Sequence, residues 1–183
     1  MGPRPVRRQP LSIKVPDGYG LRVLDEVDST NTEAARLVGQ LAGPEWILAR
    51  RQTNGRGRRG RAWSDPVGNF AASLVLFPKQ SPEQIALRSF VAALALYDAF
   101  VATTGRSDAL ALKWPNDVLL NGGKVAGILL ETTALSGGGF ALTIGFGVNL
   151  VHIPQSSRLE TRATPPVCAV SYTHLTLPTK STV

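Results

Sequence analysis

The sequence predicts an α+β domain, in which helices flank a central mixed, mostly antiparallel sheet. Three observations carry this expectation. Apolar runs meet at Asn121-Gly122-Gly123 and again at residues 136–139, both hairpin signals. Two segments open with helix caps, one at Thr30 and one at Ser81. Strands and helices do not alternate strictly, as a doubly wound parallel sheet would demand.

Taken in order, residues 1–17 hold three prolines by position 10 and no periodicity, so they read as a flexible leader. The domain itself is expected over 18–169, incomplete at its C-terminal end. Residues 21–27 look like a strand. Thr30 and Glu33 then match the S/T-x-x-E capping box, which predicts a helix over 31–41 with Ala34, Ala35, Leu37, Val38 and Leu41 buried. Residues 46–49 read as a strand, and residues 70–77, between Asn69 and Pro78, as a buried one. Ser81, Pro82 and Gln84 supply a cap, a proline at the first helical position and the third-position partner. The helix they open is expected to reach about Val101, with Leu87, Val91, Leu94 and Ala95 facing inward. Residues 110–114 form a strand stopped by Pro115. Residues 118–120 and 125–131 make a hairpin around Asn121-Gly122, and residues 140–148 are the strand that returns after the second turn.

The last fourteen residues, 170–183, break the pattern. They are polar and threonine-rich, and the first ten resemble a translated sequencing-library adapter, so this stretch is expected to be a non-native tail.

Composition narrows the class. A chain of 183 residues with 43% hydrophobic and 18% charged residues is in the range of ordinary globular domains. No uninterrupted apolar run reaches the roughly 18 residues of a membrane span, and the basic start has no secretory apolar region. A cytoplasmic enzyme without a membrane segment is the expectation. The single cysteine, Cys168, has no internal disulfide partner, and with His152 alone it cannot build a zinc site. The net charge is +7, and six of the twenty Lys and Arg fall within residues 50–61: Arg50, Arg51, Arg56, Arg58, Arg59 and Arg61. Such a cluster needs an anion.

The chemistry concentrates in two strings. GRGRRGRAW at 55–63 puts three glycines within six positions, so the backbone can approach a ligand closely, among four arginines suited to carboxylate and phosphate oxygens. Trp63 adds a face on which a planar base could stack. Two readings stand side by side here: a mobile loop that folds over a small anion, or an Arg-Gly nucleic-acid-binding segment. The position between two predicted buried strands favours an active-site loop. The second string, KWPND at 113–117, is followed by Lys124 after the turn. Lys113 ends a strand and Lys124 begins one, so both ammonium groups could reach one ligand. Asp117, expected in the turn, could hold a magnesium ion bridging phosphate oxygens.

DSTN at 28–31, GRGRRGRAW, KWPND, KVAGILLE at 124–131 and IGFGVN at 144–149 stand in the order found in biotin–protein ligases. Over about residues 21–150 the chain resembles that family. The resemblance implies a catalytic domain like that of class II aminoacyl-tRNA synthetases, with biotin and ATP side by side on one face. It implies a biotin–[acetyl-CoA-carboxylase] ligase, which forms biotinyl-5′-AMP and passes biotin to a lysine of a biotin carboxyl carrier protein. Ser29, Thr30, Asn31 and Gln52 would then receive the neutral ring system of biotin. Arg56, Gly57 and Arg58 would close over its carboxylate and the adenylate phosphate, and Lys124 would reach both. Trp63, Lys113, Asn116 and Asn149 would contact ATP or the adenylate, with Asp117 on Mg²⁺. Catalysis would rest on Lys124, Arg58 and Asp117.

Larger members of that family carry an N-terminal DNA-binding domain and a small C-terminal β domain, neither of which is expected within these residues. The resemblance also allows a homodimer. Lipoate–protein ligases and octanoyltransferases, which share the fold superfamily, are the alternative enzyme reading, but their arginine–glycine motif differs and they do not usually carry KWPND. A nucleic-acid-binding module using the 50–61 patch is the alternative of another class.

Overall fold

A seven-stranded sheet organises the protein, described by a computed structural model over residues 13–105, 107–154 and 164–170. The order of elements is β1 (Gly20–Leu24), α1 (Thr30–Leu37), β2 (Glu45–Ala49), β3 (Phe70–Leu76), α2 (Pro82–Ala86), α3 (Arg88–Thr104), β4 (Leu110–Lys113), β5 (Asp117–Leu120), β6 (Gly123–Ala134) and β7 (Phe140–Val148). Across the sheet the strands run β1-β2-β3-β7-β6-β5-β4. β1 pairs with β2 in parallel, and the other pairs are antiparallel, so the mixed, mostly antiparallel sheet is as the sequence predicts. The β5–β6 hairpin turns at Asn121 and Gly122, whose φ angles of 49° and 77° are those a two-residue left-handed turn requires.

Side chains alternate across a strand, and the two faces receive different helices. On one face α1 sets Ala34 and Val38 against Ile47, Val75 and Ala141. On the other, α2 and α3 set Ile85, Ala92 and Ala93 against Ile128, Leu142 and Ile144, while Phe100 packs with Val118, Val125 and Val148. Full burial of a side chain such as Ile47 or Val75 stabilises the fold by about 1.5–3 kcal/mol.

Four expectations need correction. The first helix is capped by Ser29, and the Thr30–Glu33 box does not form. Glu33 pairs instead with Arg36 at 2.9 Å, and Thr30 turns its hydroxyl to Gln52. That helix gives way to a 3₁₀ turn, Val38–Gln40, and Ala35 is exposed. β1 stops at Leu24, and Val27 instead bridges to Gln52. In the second helical segment the box of Ser81 and Gln84 does form, but the segment breaks at Leu87 before α3 begins. Its inward face is Ala92, Ala93 and Phe100, whereas Leu87, Val91 and Leu94 are 58%, 65% and 52% exposed, and Ala95 is exposed too. The helix is apolar nearly all round, so periodicity cannot choose its face. Alanines let it lie close on the sheet, and close packing decided.

By length and composition Pro82–Thr104 is apolar enough to cross a membrane, with mean hydropathy 1.7; 22% of that stretch is buried, where Ile85, Ala92, Ala93 and Phe100 meet the sheet. Expected leader residues 1–12 and tail residues 171–183 lie outside the described residues. The segment 164–170 runs beside β6, with Lys124 N–H donating to Pro165 O at 2.7 Å and Val167 N–H to Lys124 O at 3.0 Å. Cys168 is buried there without a disulfide.

Candidate active site

The site lies on the α1 face of the sheet, at the helix's N-terminal end. Three glycines leave that face bare: Gly127 and Gly147 are partners across β6 and β7, and Gly145 lies two residues along. A Cβ on Gly147 would lie 2.5 Å from the Trp63 indole, and one on Gly145 would run into the Asn31 amide. The side chains of Trp63 and Asn31 therefore lie directly on backbone here. A cavity of about 1150 Å³ opens above this floor, bounded at one end by Ser29, Thr30 and Asn31 and at the other by Arg58, Lys113 and Lys124.

At one end a continuous chain of hydrogen bonds runs through neutral side chains and finishes on Glu131. Gln52 Oε1 accepts from Thr30 N–H at 2.8 Å and from its hydroxyl at 3.2 Å. Ser73 Oγ lies 2.8 Å from Thr30 Oγ1 and donates to Asn31 Oδ1 at 2.6 Å. Asn31 Nδ2 in turn donates to Glu131 Oε2 at 2.7 Å. Ser29, Thr30, Asn31 and Ser73 are all buried, and the side-chain hydrogen bonds of the last three offset their burial. The sequence reading named the first three and Gln52 but missed Ser73 and Glu131. A signal for Ser73 was present: it is the one polar residue in the apolar strand FAASLVL.

The arginine–glycine loop follows β2, which ends at Ala49, and returns to β3 across its own stem. Thr53 and Asn54 N–H donate to Val27 O and Asp28 O, and Trp63 N–H donates to Gly55 O at 2.8 Å. Gln52 N–H donates to Asp65 Oδ2 at 3.2 Å, which ties the two ends together. Burial pushes the Asp65 carboxyl above its ordinary value, only partly offset by the bonds from Gln52. At the loop's apex Arg59 has φ 58°, a left-handed conformation that costs a residue bearing a Cβ.

The loop's cations divide into two groups. Arg50 pairs with Asp25 at 3.1 Å, Arg51 with Glu26 at 3.0 Å, and Arg56 with Glu131 at 2.9 Å. Arg58 instead points across the cavity, 3.4 Å from Asn116 Oδ1. At least three of the six clustered arginines are thus paired with carboxylates, which weakens the nucleic-acid reading.

At the charged end, Lys124 Nζ lies 2.7 Å from Asp117 Oδ1 and 5.6 Å from the Trp63 ring centre. Asp117 is the first residue of β5, opposite Lys113 and Gly127, and is not in a turn as expected. Asn116 is held by exchange with Ile128: its Nδ2 donates to Ile128 O at 2.8 Å and its O accepts Ile128 N–H at 2.9 Å. Lys113 Nζ donates to Thr164 Oγ1 at 2.5 Å. Asn149 is 1% exposed and anchored by Nδ2 to Val167 O at 3.1 Å, while its Oδ1 has no hydrogen-bond partner among the described residues. All the residues named from the sequence line this one cavity.

Residues 23–149 match the model of the Biotin/lipoate A/B protein ligase family. The chain belongs to that family. Within it, the chain is 55% identical over 145 residues to the biotin–[acetyl-CoA-carboxylase] ligase of Paracoccus denitrificans, covering 79% of this chain and 60% of that protein. It is 36% identical over 135 residues to the bifunctional ligase/repressor BirA of Escherichia coli, covering 73% and 41%. Among solved structures of the biotin/lipoate ligase fold, the Leishmania major biotin protein ligase in complex with biotinyl-5-AMP superposes with a TM-score of 0.72 at 27% identity, covering 87% and 66%. The Aquifex aeolicus enzyme in complex with biotin and ATP gives 0.67 at 30%, covering 85% and 61%. The chain spans about 60% of the length of the Paracoccus relative and about 40% of the Escherichia one.

Proposed function

We propose that this chain is the catalytic part of an ATP-dependent biotin–protein ligase, of the biotin–[acetyl-CoA-carboxylase] ligase type. One observation carries the reading: a single cavity is lined both by the neutral hydrogen-bonding side chains of Ser29, Thr30, Asn31 and Gln52 and by the cations Arg58, Lys113 and Lys124. Biotin has that polarity, with an uncharged urea ring and a carboxylate at the far end of its chain. The Paracoccus relative and the Leishmania and Aquifex complexes support the choice of biotin and ATP.

In this reading Ser29, Thr30, Asn31 and Gln52 receive the urea, and the carboxylate reaches Lys124 and Arg58. Attack of that carboxylate on the α-phosphorus of ATP brings two anions together and expels pyrophosphate. Lys124 and Arg58 lower their repulsion and stabilise the charge that develops in the transition state. Biotin supplies its own nucleophile, so no activated Ser or Cys is required. Trp63, Lys113, Asn116 and Asn149 border the nucleotide end, and the buried Asn149 Oδ1 offers an acceptor for an amino group such as that of adenine.

The donor set fits magnesium in a limited way. Among the described residues no three His, Cys, Asp or Glu gather around one point, but magnesium is commonly held by one or two carboxylates together with substrate phosphates. Asp117 would be that carboxylate, released from Lys124, and the ion would offset phosphate charge. In the second step a neutral lysine of a biotin carboxyl carrier protein attacks the mixed anhydride and AMP leaves. An ATP-dependent reaction of this kind belongs in the cytoplasm.

The test is biotin-dependent exchange of pyrophosphate into ATP by the protein expressed from its full reading frame. Exchange with biotin and none with lipoate or octanoate is the expected result. Absence of exchange in a folded protein overturns the reading.

A further inference from the structure

Glu131 lies on the α1 face of β6, in register with Thr143 of β7. Its carboxylate serves two elements at once. Oε2 accepts Asn31 Nδ2 at 2.7 Å and Arg56 Nη2 at 2.9 Å, and Oε1 accepts Arg56 Nη2 at 3.1 Å and Nε at 3.3 Å. The remaining guanidinium nitrogen, Nη1, donates to Thr32 Oγ1 in the first turn of α1. All three nitrogens of Arg56 thus end on the body of the domain. Arg58, two residues on, is the loop arginine aimed across the cavity toward Asn116. Arg56 and Glu131 are each 35% exposed, so the pair is open to water and adds little to global stability, yet its two-pronged geometry is specific.

We infer that Arg56 and Glu131 form a latch holding the arginine–glycine loop against the start of α1, and that Glu131 is a positioning residue joining that closure to the neutral pocket through Asn31. The latch assigns Arg56 a different task from the direct carboxylate contact that the family resemblance implies. Arg58 and Lys124 are left as the cations that meet the ligand's anionic end. A hydrogen-bonding group placed on Asn31 perturbs the amide that Glu131 holds, and Glu131 in turn holds the loop. The ligand half of this inference rests on the proposed biotin adenylation, whereas the latch itself does not.

Trypsin separates the two halves. Glu131→Gln keeps an acceptor for Asn31 but removes the charge that holds Arg56. In the ligand-free protein, cleavage after Arg58 and Arg59 should quicken about tenfold, as expected from losing one charge-assisted two-pronged contact, with an unchanged melting temperature. Arg56→Lys lies on the exposed loop, keeps the charge and loses the fork, and should quicken cleavage in the same direction. With biotin and ATP present, both variants should release biotinyl-AMP faster and show a raised KM for biotin, with kcat for pyrophosphate exchange nearly preserved. Unchanged cleavage in both variants overturns the latch. Faster cleavage with an unaltered KM and adenylate release overturns the coupling to the pocket. If cleavage quickens but the unsubstituted protein forms no adenylate, the latch stands and the functional reading falls.

Discussion

Lys124 and Asp65 show how single side chains here are set by what surrounds them. Lys124 is the second residue of β6, its side chain 27% exposed and its ammonium beside Asp117 and the Trp63 ring. Lys124→Ala should therefore leave the fold and the circular dichroism intact, with a stability change under about 1 kcal/mol, because a partly exposed ion pair contributes little. Pyrophosphate exchange should fall by about 10²–10³-fold, the scale of losing one preorganised group that stabilises transition-state charge. Near-normal exchange would remove Lys124 from catalysis. Asp65 behaves oppositely. The residue is 7% exposed, burial raises its carboxyl, and Oδ1 has no hydrogen-bond partner among the described residues. A raised folded value means that the folded state holds the proton more tightly than the unfolded chain. Stability then falls as pH rises from the unfolded value through the folded one, and the full penalty is present above that window. Asp65→Asn keeps an acceptor for Gln52 N–H and removes the charge. It should raise the melting temperature at neutral pH, and the gain should shrink as pH falls through the raised folded value and vanish below the ordinary carboxylate range. A gain that grew on acidification would contradict this account.

At the scale of elements, α3 is the informative case. Its face was misread because Leu87, Val91 and Leu94 carry the larger apolar side chains and follow a helical spacing, while the alanines beside them do too. The sheet took the alanines, since a helix can approach β6 and β7 closely only over small residues. Ala93→Leu should destabilise the fold by about 1–3 kcal/mol through overpacking, whereas Leu94→Ala should change it by less than about 0.5 kcal/mol. Thermal or urea unfolding of the two variants decides the matter, and a reversed order would show that the helix sits the other way round. The Thr30–Glu33 box failed for a related reason. Gln52 and Ser73 offered the Thr30 hydroxyl a buried polar site, which outweighed a local cap.

For the molecule as a whole, charge is the property that sequence and structure weigh differently. A net charge of +7 with a local arginine cluster suggests a nucleic-acid surface. In the fold Arg50, Arg51 and Arg56 each meet a carboxylate from β6 or from the segment after β1, so the cluster presents fewer uncompensated charges than its composition promises. Random duplex DNA at physiological salt should give no electrophoretic shift at micromolar protein, and a salt-dependent shift would restore the rival reading.

The sheet's hairpins, the positions of most strands and many of the polar residues that line the cavity were legible in the sequence. These follow from local chemistry: Asn-Gly at a left-handed turn, alternation along strands, and charged or polar strings that have no place in a core. What those residues touch follows from the packed fold alone. Glu131 and Ser73 became part of the site because β3, β6 and α1 converge from sequence positions far apart. Gly127, Gly145 and Gly147 became a floor because register set them on one face beneath Trp63 and Asn31. Spacing along a chain fixes the period of an element, but contacts between elements depend on which faces meet, and that is settled by packing volume and by the need to satisfy every buried polar group.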